Sequence, residues 1–81
     1  MQLNLRIKLY GTLSRAIDDY DHSSGLNASL PDGSSVQDLL DHLEIQPKRV
    51  GMVQMNDRAV QKDKLLEDGA LIKILQPIVG G

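Results

Sequence analysis

The residues best suited to chemistry are the last two, Gly80-Gly81, which follow the apolar run Leu71-Ile72-Lys73-Ile74-Leu75 and the tether Gln76-Pro77-Ile78-Val79. Two residues without side chains put a carboxylate on a stem slim enough for a narrow channel. Glycine has no Cβ to meet the walls, and it reaches backbone conformations closed to other residues. A carboxylate offered in this way can be taken into a second enzyme's site and activated as an acyl adenylate. The plain alternative is a frayed end, since termini commonly lack fixed structure and glycine is frequent there. A cloning remnant is a third reading, set against a chain that starts at Met1 without a tag.

No internal group competes for the chemistry. His22 falls in the polar stretch Asp18-Asp19-Tyr20-Asp21-His22-Ser23-Ser24-Gly25, and His42 falls on a helix whose apolar stripe omits it, so both read as solvated. Asp38 and Asp41 belong to the polar face of the same helix, and Asp18, Asp19 and Asp21 to a solvated loop. Asp32-Gly33-Ser34-Ser35 precedes a helix N-terminus, where an anion could bind, but a turn followed by a cap accounts for these residues fully. No metal cluster is expected. Without an internal nucleophile, base or metal set, the chain reads as the substrate or carrier of another enzyme's reaction.

Positioning such an end requires a rigid body, and 81 residues make one domain, near the lower size at which a core holds without staples. Phe and Trp are absent and Tyr10 and Tyr20 are the aromatics, so the core must be aliphatic. The absence of cysteine removes disulfides, thiol nucleophiles and thiolate metal sites, and a cytoplasmic location is the default expectation. No stretch approaches the length of a membrane span, and residues 1 to 10 lack a signal peptide's continuous apolar run. A formal charge of −2 lacks the basic excess that phosphate backbones require, so nucleic acid is not an expected direct partner.

Leu3, Leu5, Ile7 and Leu9 alternate with polar residues over the first ten positions, the period of a strand with one buried face. After Gly11-Thr12, the positions of Leu13, Ala16, Ile17 and Tyr20 predict a short helix, with Thr12 or Ser14 as its cap. A second strand is expected over Leu26 to Leu30, with Leu26, Ala28 and Leu30 inward, ended by the turn Pro31-Asp32-Gly33. The strongest helix follows. Val36, Leu39, Leu40 and Leu43 share one face, Ser34 or Ser35 caps it, Ser34 and Gln37 form a capping box, and Pro47 prevents its continuation. Val50 to Met55 and Arg58 to Gln61 flank Asn56-Asp57 as a two-residue hairpin. Leu65-Leu66 anchors a loop, Asp68-Gly69 turns the chain, and Ala70 to Leu75 forms the last strand. Its alternation buries Ile72 and Ile74 and leaves Leu71, Lys73 and Leu75 outside. Two leucines facing water, joined by Tyr10 and by Met52 or Val53, would make an apolar patch beside the tail that docks a partner.

This α+β order, a ββαββ core with the long helix crossing one face of a mixed sheet of about five strands, is the β-grasp arrangement of ubiquitin-like proteins, in which the first and last strands lie side by side at the centre. The domain is expected over residues 1–75 and a flexible tail over 76–81. The chain resembles the MoaD/ThiS sulfur-carrier family of molybdopterin and thiamin biosynthesis along its whole length. The segments that carry the likeness are Ile7-Lys8-Leu9-Tyr10-Gly11-Thr12-Leu13, Leu30-Pro31-Asp32-Gly33-Ser34-Ser35-Val36-x-Asp38-Leu39-Leu40, and Leu66-x-Asp68-Gly69 leading to Gln76-Pro77-Ile78-Val79-Gly80-Gly81. Residues 11 to 21 look more like the small subunit of molybdopterin synthase than the shorter thiamin carrier. The chain departs from that branch just ahead of the tail, where Ile74, Leu75, Gln76 and a single Pro77 stand in place of aromatic residues and a proline pair.

The resemblance implies a carrier with no bound cofactor. A ubiquitin-activating-type enzyme would use ATP to adenylate the Gly81 carboxylate, and a sulfur donor would convert it to a thiocarboxylate. The tail would then deliver sulfur in a large molybdopterin synthase subunit or another acceptor enzyme. Gly81 would carry the sulfur, Gly80 would let it reach, and Tyr10, Leu71, Leu75, Pro77, Ile78 and Val79 would meet the partners. Carriers for thiamin thiazole or tRNA thiolation and ubiquitin-like protein modifiers share this mechanism. A β-grasp interaction module without tail chemistry is the reading of a different class.

Overall fold

Alternation in the first strand is carried through to burial: Leu3, Leu5, Ile7 and Leu9 are all in the core, while Gln2, Asn4 and Arg6 between them are exposed. The computed structural model describes residues 2–11, 13 and 25–77. Within these lie strands β1 (Gln2–Leu9), β2 (Leu26–Pro31), β3 (Met52–Met55), β4 (Arg58–Val60) and β5 (Leu71–Leu75), helix α1 (Val36–His42), and a 3-10 turn at Pro47–Arg49. The strands form one sheet in the order β2-β1-β5-β3-β4. β1 and β5 pair in parallel and every other neighbouring pair is antiparallel. The first and last strands therefore occupy the centre, as their apolar patterns require, with Ile7, Ile72 and Ile74 fully buried. The apolar stripe Val36, Leu39 and Leu40 of α1 joins the same core. This is the expected ubiquitin-like β-grasp fold, a mixed sheet with one main helix.

Several boundaries differ from the sequence reading. β2 continues one residue past Leu30, with Pro31 opposite Gln2; a proline without an N–H is tolerated because β2 is an edge strand. The helix cap is Ser35, and its box partner is Asp38 rather than Gln37: the Ser35 hydroxyl accepts from the Asp38 N–H at 3.2 Å, and the Asp38 carboxylate accepts from the Ser35 N–H at 2.8 Å. Ser34 instead closes the preceding turn, its hydroxyl donating to the Pro31 carbonyl at 2.7 Å.

The helix also stops before Pro47 can act. Glu44 takes φ 60°, its N–H donates to the Asp41 carbonyl, and the Ile45 N–H reaches back to Leu40 at 3.0 Å. That pair of bonds is a Schellman stop, with buried Ile45 and Leu40 as its apolar contact. Asn56 and Asp57, at φ 53° and 70°, make the hairpin turn expected between β3 and β4. The flanking strands are shorter than expected, as is β5, because Val50, Gln61 and Ala70 do not pair. Of the loop pair, Leu66 is buried and Leu65 is 59% exposed. The helix expected over Leu13, Ala16, Ile17 and Tyr20 lies outside the described residues except for Leu13, which is fully buried. No helix among the described residues is long and apolar enough to cross a membrane.

Candidate functional site

β5 is the element that leads to the chain's end, so its outer face and its exit define the site. Burial along it reads half-buried, buried, half-buried, buried, half-buried from Leu71 to Leu75. Leu71 and Leu75 are thus partly covered rather than open to water. Leu75 lies opposite Met52 in the β3–β5 register. On the other side of β5, the Tyr10 N–H donates to the Ile74 carbonyl at 3.1 Å, which carries Tyr10 on beside Leu75. Met52 is 46% exposed and Tyr10 41% exposed, so Tyr10, Leu75 and Met52 form an apolar row across three neighbouring chain segments at the end of β5. Val53, the other residue offered for this patch, is buried, because it alternates inward. Leu71 lies four residues up the strand, about 13 Å from Leu75, beside the hairpin turn, and does not belong to the row.

The two residues after β5 are held closely. The Gly51 N–H donates to the Leu75 carbonyl at 2.7 Å, and a Cβ on Gly51 would stand 2.6 Å from the Pro77 Cα and 2.7 Å from the Gln76 carbonyl oxygen. On the opposite side, a Cβ on Gly11 would overlap the Gln76 carboxamide. Gln76 and the half-buried Pro77 therefore leave the sheet between two glycines. The sequence places Gly11 just past the first strand and gives no role to Gly51, although an isolated glycine within Val50 to Met55 is a signal of close backbone approach. Ile78, Val79, Gly80 and Gly81 lie outside the described residues.

Charge lies up the sheet on one side of the apolar row. Lys73 stands opposite Lys8 in the β1–β5 register, with Arg6 opposite Leu71. The Lys73 ammonium donates to the Asp57 carboxylate at 2.7 Å. That hydrogen bond, with the accompanying charge, raises the Lys73 pKa above its ordinary value and lowers that of Asp57.

The other sequence candidates gather no site. His42 is exposed at the end of α1, and His22 and the aspartates at 18, 19 and 21 lie outside the described residues. The amides at the helix start are occupied: Val36 donates to the Lys64 carbonyl and Gln37 to that of Lys62, both at 2.9 Å, and Asp38 donates to Ser35. An anion there would find its donors taken. Among the described residues, no three His, Cys, Asp or Glu side chains come together to hold a metal.

Solved structures share this architecture. A protein assigned as subunit 1 of molybdopterin converting factor from Pyrococcus furiosus superposes with TM-score 0.73 at 19% identity, over 94% of this chain and 99% of that one. Small archaeal modifier protein 1 of Haloferax volcanii gives 0.72 at 17% identity, over 94% and 99%. A complex of subunits 1 and 2 of molybdopterin-converting factor from Helicobacter pylori gives 0.57 at 18%, over 98% and 100%. At these identities the likeness is one of fold. No curated protein sequence matches. The ThiS family profile matches residues 7–81, from β1 through the terminal glycine pair, and by that match the chain belongs to the ThiS family.

Proposed function

We propose that this chain is a sulfur carrier that works through the Gly81 carboxylate and serves as the small subunit of molybdopterin synthase. The observation that carries the reading is the exit of the central strand β5 beside an apolar row, Tyr10, Leu75 and Met52, in a chain of the ThiS family. The row supplies a docking face, the sheet supplies rigidity, and residues 76–81 supply the reach.

The chemistry proceeds in four displacements. A Gly81 carboxylate oxygen attacks the α-phosphorus of ATP in a ubiquitin-activating-type enzyme, and pyrophosphate leaves. A sulfide-level donor then adds at the acyl carbon and AMP departs, leaving a thiocarboxylate. Activation is needed because a carboxylate is a poor electrophile and AMP is a far better leaving group than oxide. In the acceptor enzyme the thiocarboxylate sulfur attacks a carbon of a pterin precursor and displaces an oxygen substituent from it, which leaves with the bonding electron pair and takes up a proton. Water then cleaves the acyl–sulfur bond, leaving sulfur on the product and returning the carboxylate. ATP is consumed in the partner's site, and the carrier supplies no catalytic side chain.

The Helicobacter pylori complex of two molybdopterin-converting-factor subunits supports a larger partner subunit as the acceptor. The small archaeal modifier fold supports a second reading, in which the same adenylate is passed to a protein amine. Coexpression with the adenylating enzyme and a sulfur donor, followed by intact mass, is the test: one oxygen should be replaced by sulfur. Deleting Gly81, or adding one residue beyond it, should abolish both that change and cofactor production. Full activity in either variant sinks the carrier reading, and appearance of isopeptide-linked adducts in place of the thiocarboxylate favours the modifier.

A further inference from the structure

We propose that Gly51 is a positioning residue for the terminal glycine pair, setting the direction in which the chain leaves the sheet; the inference rests on the carrier reading above. Gly51 lies immediately before β3, the strand that contributes Met52 to the apolar row. Its amide holds the Leu75 carbonyl at 2.7 Å, and its bare Cα lets the Gln76–Pro77 backbone lie directly against it. Every atom that a Cβ would strike there is backbone: the Pro77 Cα at 2.6 Å, the Gln76 oxygen at 2.7 Å and the Pro77 nitrogen at 2.7 Å. Rotation of a side chain cannot relieve that overlap. At Gly11 the opposing atoms are the end of the Gln76 side chain, which can turn away. Gly11 resists a side chain through its own backbone, at φ 64°, whereas Gly51 does so through the chain that lies against it.

A methyl group at position 51 must push Gln76-Pro77 off the start of β3. The chain beyond Pro77 then starts from a displaced point, while the Tyr10–Leu75–Met52 row stays in place. Docking and delivery are thereby separated. A misplacement of about 1 Å at a reacting atom costs up to about a hundredfold in rate.

The test compares Gly51→Ala with the wild-type chain in ATP–pyrophosphate exchange on the adenylating enzyme, with folding checked by amide NMR spectra. The expected result is a kcat reduced about tenfold to a hundredfold with KM for the carrier unchanged, and partial recovery when Pro77→Gly loosens the displaced segment. A folded Gly51→Ala chain exchanging at the wild-type rate overturns the proposal and leaves the carrier reading standing. So does a loss carried wholly by KM. No exchange from the wild-type chain with any cognate enzyme overturns both. Should Gly51→Ala fail to fold, amide relaxation of the wild-type chain decides: Gln76 as rigid as β5 upholds the proposal, and Gln76 as mobile as a free end overturns it.

Discussion

Asp57 occupies the second place of the β3–β4 turn at φ 70°, and its carboxylate holds the Lys73 ammonium at 2.7 Å. The two roles pull in opposite directions when Asp57→Gly is made. Glycine removes the cost of the left-handed backbone, while the ion pair is lost. With Asp57 74% exposed and Lys73 27%, water screens the pair, and the backbone gain should win. The urea midpoint of Asp57→Gly at neutral pH should therefore rise; a fall means that the ion pair outweighs the turn. Acid sharpens the comparison in a defined sense. The Asp57 carboxyl is held below its usual 3.8 by the Lys73 hydrogen bond and charge, so the pair's contribution is present above that value and is lost as pH falls through the lowered one. The advantage of Asp57→Gly over wild type should accordingly widen on acidification, measured as the difference in urea midpoints. Met52 tests the docking row at the same scale. Being 46% exposed, Met52→Ala should leave stability within about 0.5 kcal/mol while weakening partner binding in titration calorimetry.

At the scale of elements, α1 ends where its own backbone ends it. Glu44 adopts φ 60° at the position that usually holds glycine, at a cost of about 1 kcal/mol or more. Glu44→Gly should therefore raise stability by about 1 kcal/mol in urea denaturation, and no gain would mean that the Glu44 side chain compensates the strain. The sequence pointed to Pro47 as the stop because proline is the visible breaker, whereas a Schellman turn built on glutamate has no composition signal. Central strands were legible for the opposite reason: β1 and β5 repeat their pattern over enough residues that only one register buries Leu3, Leu5, Ile7, Leu9, Ile72 and Ile74 together. The apolar row was half legible. Alternation gave Leu75 and Tyr10 but left Met52 and Val53 undecided, because choosing between them needs the β3 register, which brings Met52 opposite Leu75. Gly51 escaped notice because its reason for being glycine is Pro77, which is 26 positions away in sequence and becomes a neighbour only through the antiparallel β3–β5 pairing.

At the scale of the whole molecule, one strand both closes the core and aims the terminal segment, so damage to β5 can act in two ways that measurements can separate. Ile72 is fully buried between Ile7 on β1 and Met55 on β3. Ile72→Ala removes its bulk from the centre of the sheet, at a cost of about 2–5 kcal/mol. A domain of 81 residues holds a total of about 4–12 kcal/mol, so that one substitution consumes much of the stability. Yet the apolar row and the Gly51 contact with Gln76-Pro77 lie at the exit of the strand, and a cavity at Ile72 leaves them in place whenever the chain is folded. Ile72→Ala should thus lower the thermal midpoint markedly while each folded molecule, assayed well below that midpoint, is adenylated at the wild-type rate. Gly51→Ala should give the reverse, a folded chain with slow turnover. If Ile72→Ala slows turnover in chains shown by NMR to be folded, aim depends on packing throughout the sheet and not on the contact at its edge.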